Sequence, residues 1–277
     1  MHSRGRLADD FRRLGVEPGD TVMLHASVRA VGEVVGGPDQ IHLALKDAVT
    51  PAGTLLMYAG CPRHYDEVGR GILTLEEEQE VIAHLPPFDA HTARSARDHG
   101  VLVEMFRTYP GTRVNHHVAR FAAWGRYAEH LVSEQPWNYA FGAGSALERF
   151  VRLDGKVLLL GSDHDTVTLL HYAEHVGDFP GKRVARYLVP TDEEGRRVWR
   201  PQEEFDTSDA GAHPNWPERF FARLTDTYLA RAGCVVTRVG AAESVLFSAR
   251  GLVEFALEVM RATAADATAA DRLLRLE

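Results

Sequence analysis

The densest run of chemically useful side chains lies between Gly161 and His175, GSDHDTVTLLHYAEH. If a helix begins near Asp165, then Thr168, His171 and Glu174 advance three residues at a time and share one face, with His175 beside them. Leu169, Ala173 and Val176 form the opposite, apolar face, so the polar face is expected to border a cleft and the apolar face to join the core. An imidazole in that position is suited to general-base chemistry, because its ordinary pKa lies near neutrality and an ammonium must lose a proton before it can attack a carbonyl. A carboxylate would orient the ring and stabilise its cation; Glu174 on the same face and Asp165 in the preceding turn are both candidates. The Thr168 hydroxyl is placed to donate to an oxyanion. Each group also has a plainer reading. Asp165 is a favoured type of helix N-cap, and the chain holds 14 histidines, most of which must do something other than catalysis.

Those residues need a scaffold that brings them to an opening. The segment follows Val157–Leu160 (VLLL), a short, wholly apolar run that reads as a strand buried on both faces. Ligands gather at the carboxyl ends of such strands, where helix N-termini offer unpaired amides. Upstream, Leu7, Phe11 and Leu14 recur at helical spacing and Gly15 follows as a C-cap. Residues 21–25 (TVMLH) and 54–58 (TLLMY) read as strands, separated by a helix that starts at Pro38-Asp39, which predicts a parallel pair with a crossover. A helix is expected around Leu102, Met105 and Phe106, and antiparallel strands from Val184, where Ala185, Tyr187 and Val189 alternate. Glu218–Ala232 reads as a helix, Cys234–Val239 as a strand and Ala249–Thr263 as a final helix. Residues 60–87, with Glu76-Glu77-Glu78 and Pro86-Pro87, read as an exposed excursion. The expected fold is α/β, one domain over residues 1–277 with a central mixed sheet flanked by helices.

Composition narrows the function classes. Of the 277 residues 45% are hydrophobic and 25% charged, as in an ordinary globular enzyme. The surplus of 39 acidic over 31 basic side chains, a net charge of −8, disfavours nucleic acid as partner and suits a cationic ligand. Two cysteines leave no disulfide framework or paired-cysteine metal site, and a reducing cytoplasm is expected. No signal-like N-terminus or membrane-length apolar run is present, so no membrane association is expected. A serine hydrolase using Ser27 or Ser162 is a possible alternative chemistry, but the sequence has no GxSxG elbow.

The segment LLLGSDHDTVTLLHYAE, Leu158–Glu174, resembles the signature LLLG-x-x-HD-x-x-T-x-LH-x-x-E of the aminoglycoside 3-N-acetyltransferase family. Four more stretches match that family in order. They are MLHASVRAVGEVVGG (residues 23–37), PAGTLLM (51–57), PFDAHTARSARDHGVLVEMFRTYPGTRVNHH (87–117) and VGAAESVLF (239–247). The resemblance implies acetyl-coenzyme A as co-substrate, an aminoglycoside amine as acceptor, direct transfer without a metal, and a monomer or homodimer. Acyl transfer to a non-antibiotic amine is the alternative. By the same resemblance, His171 is the base, Glu174 or Asp165 its partner, and Thr168 lies near the thioester. Ser27, Val28, Arg29, Gly32 and Val35 would hold coenzyme A. A polycationic acceptor needs carboxylates, for which Asp66, Glu67, Glu104 and Asp163 are expected, with His116 lining the same cleft. The chain departs from the family pattern at Ala26, where a second serine is usual, at Val114 and His117, and at Ser145-Ala146. Residues 60–87 are also longer than the common form.

Overall fold

A computed structural model describes residues 1–207 and 212–274. In chain order the elements are α1 (Arg4–Leu14), β1 (Thr21–Ala26), α2 (Val28–Val31), α3 (Asp39–Val49), β2 (Thr54–Tyr58), α4 (Leu75–His84), α5 (Val101–Thr108), β3 (Arg113–Val114) and β4 (Phe121–Gly125). They continue with α6 (Ala128–Leu131), α7 (Ala146–Arg152), β5 (Lys156–Leu160), α8 (Leu169–Val176), β6 (Val184–Glu193), β7 (Arg196–Phe205), α9 (Phe220–Arg231), β8 (Thr237–Val239), β9 (Ala242–Ser248), α10 (Ala249–Ala265) and α11 (Ala269–Leu273).

Among the described residues, seven strands form one sheet in the order β3-β4-β2-β1-β5-β9-β8. β1 runs parallel to both β2 and β5, while the outer pairings are antiparallel, so the sheet is mixed as expected. The VLLL run explains the centre. Val157 and Leu159 join one apolar cluster, with α7, α8 and α10; Leu158 and Leu160 join another, with α1, α3 and α5. Each such leucine contributes about 2 kcal/mol by leaving water, which fixes β5 in the middle of three layers.

Several elements depart from the sequence reading. The helix after β5 begins at Leu169, not near Asp165. The Asp163 carboxylate accepts from the Asp165 N–H and closes a separate 3-10 turn, His164–Thr166, and Val167 (ψ 89°) interrupts the helical path. The expected faces shift accordingly. Glu174 is fully buried rather than bordering the cleft, and Val176 is 37% exposed rather than in the core. α9 starts at Phe220 after a left-handed Arg219, the strand before β9 is only Thr237–Val239, and α10 is followed by α11. β6 and β7 form a two-stranded ribbon separate from the main sheet. The 60–87 segment is only partly exposed. Its acidic run is the first turn of α4, closed by a Thr74–Glu77 capping box. Tyr65 and Val68 are buried, and the Leu188 N–H donates to the Val68 carbonyl. The excursion is therefore stitched to the ribbon. No helix among the described residues is long and apolar enough to cross a membrane.

Candidate active site

β1 and β5 end side by side, with Ala26 opposite Leu160. The Ser27 N–H donates to the Leu160 carbonyl at 2.9 Å, and the Ser162 hydroxyl to the His25 carbonyl at 3.2 Å, so the two strand ends are sewn together. The Ser27 hydroxyl accepts from the Ala30 N–H and starts α2. Both serine hydroxyls thus bond to backbone groups, and among the described residues neither is hydrogen-bonded to a histidine ring. Gly161 makes the close approach possible. Its φ is +62°, and a Cβ there would lie 2.4 Å from that of Ala30.

Two cavities open at this edge. One, of about 720 Å³, is lined by His25, Ser27, Val28, Arg29, Gly161–Asp163, Thr168 and His171. The other, of about 380 Å³, is lined by Cys61, Asp66, Arg70, Phe141, His171, Tyr187, Glu204 and Phe205. Tyr58, Asp98, His99 and His171 belong to both. The wall between them is built from afar. Arg120, fully buried, donates to the carbonyls of Ala90 and Ala93 and anchors the loop leading to Asp98 and His99. The His99 ring then stands edge-on to Tyr58 at 4.9 Å.

His171 is positioned by three contacts. Its Nδ1 lies 2.5 Å from Glu174 Oε2, and Phe141 and Phe221 pack on the ring at 5.3 and 5.0 Å. Glu174 Oε1 accepts from the Ala212 N–H at 3.2 Å. With a buried carboxylate at Nδ1, a neutral ring would carry its hydrogen on that nitrogen and leave the lone pair on Nε2. Burial, helped by the neighbouring His99, lowers the His25 pKa to about 4, which leaves His25 neutral.

The sequence profile of the aminoglycoside 3-N-acetyltransferase family matches residues 23–261. Aminoglycoside N(3)-acetyltransferase III of Pseudomonas aeruginosa is 40% identical, over 93% of this chain and 93% of that protein. The chain belongs to the aminoglycoside 3-N-acetyltransferase family. The solved structure of AAC-IIIb in binary complex with CoASH has 40% identity and a TM-score of 0.87, covering 94% of this chain and 96% of that one. AAC-VIa bound to sisomicin has 34% identity and a TM-score of 0.85, covering 94% and 98%.

On this acetyltransferase scaffold the expected residues separate into three groups. His171, Glu174, Thr168, Ser27, Val28 and Arg29 come together at or beneath the larger cavity, and Asp66 lines the smaller one. Asp165 and Asp163 touch the larger cavity but are engaged elsewhere. Asp165 accepts from the Ala222 N–H and caps α9, so Glu174 is the ring's partner. Asp163 pairs with Arg219 at 2.6 Å, at the larger cavity rather than among the carboxylates of the smaller one.

The third group lies outside both cavities. Gly32 packs against His2, and Val35 is 51% exposed, its N–H donating to the His2 carbonyl. Glu67 pairs with Arg63. Glu104 is locked by Arg94, Arg107 and the Ser95 N–H; against a desolvation that would raise it, these donors hold its carboxyl at about 2. His116 packs on His91 and lines a separate cleft with Trp137 and Arg149. These corrections share a cause. Within a matched stretch a charged side chain can be used to fold the loop as readily as to meet a ligand.

Sequence reasoning missed Tyr58, Asp98, His99, Arg70 and Glu204. Asp98-His99 lay within the matched 87–117 stretch. Glu204 gave little signal, because residues 196–205 (RRVWRPQEEF) lack a clean alternation, yet Gln202 and Glu204 are buried on one face of the ribbon.

Proposed function

We propose that His171 is the general base in transfer of the acetyl group of acetyl-coenzyme A to the 3-amine of an aminoglycoside. One observation carries the assignment: the imidazole faces two cavities at once, with Nδ1 held by a buried carboxylate and Nε2 left to accept a proton. The larger cavity, framed by the opening turn of α2 and the loop after β5, suits the thioester. First-turn amides lack intrahelical acceptors and favour the negative groups of coenzyme A. The smaller cavity sets Asp66, Asp98 and Glu204 against one guanidinium, Arg70, which suits a polycation. Burial, the largest influence, raises the Asp66 pKa. A bound ammonium would favour its charged form.

In the reaction, Nε2 of His171 takes the proton from the acceptor ammonium, and the amine attacks the acetyl carbonyl in a ternary complex. Glu174 stabilises the imidazolium. Thr168, 7% exposed at the rim of the larger cavity, or the α2 amides, stabilise the oxyanion. His171 passes that first proton to solvent, takes the second from the attacking nitrogen, and returns it to the coenzyme thiolate as the tetrahedral intermediate collapses to the neutral amide. The main sheet draws its strands from as far apart as Thr21 and Ser248, which supports reading 1–277 as one domain. Two free thiols, Cys61 and Cys234, support a cytoplasmic protein. The test is release of thiol from acetyl-coenzyme A with sisomicin and gentamicin, and mapping of the acetylated nitrogen. Acetylation at the 3-amine is expected; modification only of other amines, or no thiol release, would refute the reading.

A further inference from the structure

The helix that carries His171 holds a second imidazole–carboxylate pair that the mechanism above does not use. His175, one turn further along α8, is 1% exposed in its side chain. Its Nδ1 lies 2.6 Å from the His171 carbonyl oxygen, and its Nε2 is hydrogen-bonded to Glu204 Oε1 of β7. Both partners are acceptors, so one hydrogen must lie between each nitrogen and its partner. Glu204 already accepts the Phe205 N–H on Oε1 at 3.0 Å and the Ala140 N–H on Oε2 at 2.7 Å. A carboxylate receiving two amide donors is favoured in its ionised form. Both ring nitrogens of His175 therefore face acceptors, one a backbone carbonyl and one a carboxylate.

This geometry joins two walls of the site. Glu204 lines the smaller cavity beside Asp66 and His171. The His175 ring is wedged between Phe141 and Phe205, with centroids at 5.7 and 4.9 Å, so it has little freedom to swing away. A buried carboxylate without a counter-charge would take up a proton and lose its attraction for an ammonium. We propose that His175 is a positioning residue: its imidazolium keeps Glu204 ionised at the cavity wall and ties it to the backbone of His171. The carboxylate that receives an acceptor ammonium and the base that deprotonates the reacting amine are then held as one unit. The proposal rests on reading the smaller cavity as the amine site.

The test compares His175→Phe, which fills the space but donates nothing, with His175→Gln, which keeps an amide donor toward Glu204. Loss of a hydrogen bond to a charged group is expected to raise the KM for sisomicin about tenfold or more in His175→Phe. The KM for acetyl-coenzyme A should stay within about twofold, and His175→Gln should recover part of the loss. An unmoved sisomicin KM, or both KM values rising together with no recovery in His175→Gln, would overturn the proposal. Nitrogen NMR of the unliganded wild-type protein gives a second reading that needs neither a variant nor turnover. Hydrogen on both His175 ring nitrogens at neutral pH is expected, and a bare nitrogen would refute the pair. Failure of the wild-type protein to release thiol with sisomicin would count against the amine-site reading instead, whatever the NMR result.

Discussion

The two cavities that meet at His171 are built in different ways. The larger is lined by neighbouring strand ends, the turns that follow β1 and β5, and residues 98–101 and 103. The smaller is assembled from residues 58–70, 98–99, 118–119, 141, 171 and the ribbon at 185–205, and much of its wall is charged or aromatic. On the proposed reading, the acetyl-coenzyme A site is the one built on the sheet edge. The proposed amine site is built mostly from loops and the ribbon.

That division can be broken most directly at the residue shared by both sides. His171→Ala should lower kcat about 10³-fold, the usual contribution of a positioned base, with coenzyme A affinity by calorimetry unchanged. Wild-type turnover would remove the junction from the mechanism.

The next largest effect is expected where the sequence pointed to ligand binding and the structure shows ion pairing. Glu104→Ala strands the buried Arg107 guanidinium and should cost about 3 kcal/mol of folding stability, with both KM values unmoved. The pH dependence has a definite sign. The Glu104 carboxyl is held at about 2, below its ordinary 4.5. Its stabilisation is therefore full above the ordinary value and is lost as pH falls from there through about 2. Acid denaturation of Glu104→Ala should lack that part of the loss, and identical acid profiles for the two proteins would contradict it.

Asp66→Asn sharpens the contrast from the other side. It should raise the sisomicin KM about tenfold while leaving the acetyl-coenzyme A KM alone, because its carboxylate lines only the amine-side cavity. Equal effects on both substrates would mean that the cavities are not separate sites. The smallest effect belongs to Val35→Ser. This exposed side chain lies outside the coenzyme cavity, and its replacement should change the acetyl-coenzyme A KM by less than about twofold.

The same contrast decides what could be read from the sequence. The parallel β1–β2 pair, the doubly buried VLLL strand and the cap at Gly15 are local in period and composition, and they fold as expected. The i, i+3 spacing of His171 and Glu174 also survives, although α8 starts four residues later than Asp165. What escaped depends on contacts across the chain. Asp165 caps a helix 57 residues away, and Glu204 reaches the site only because the ribbon folds back over α8. Glu104 was misread although Arg107 stands i, i+3 from it on α5; the second partner, Arg94, arrives from outside the helix.

The most direct test of the junction is a crystal structure of His171→Ala with acetyl-coenzyme A and sisomicin both bound. The account predicts the thioester beside Ser27 and Val28, the drug beside Asp66 and Glu204, and the 3-amine about 3–3.5 Å from the acetyl carbon next to position 171. Both molecules crowded into one cavity, or the 3-amine held beyond the Tyr58–His99 wall and out of reach of position 171, would contradict it.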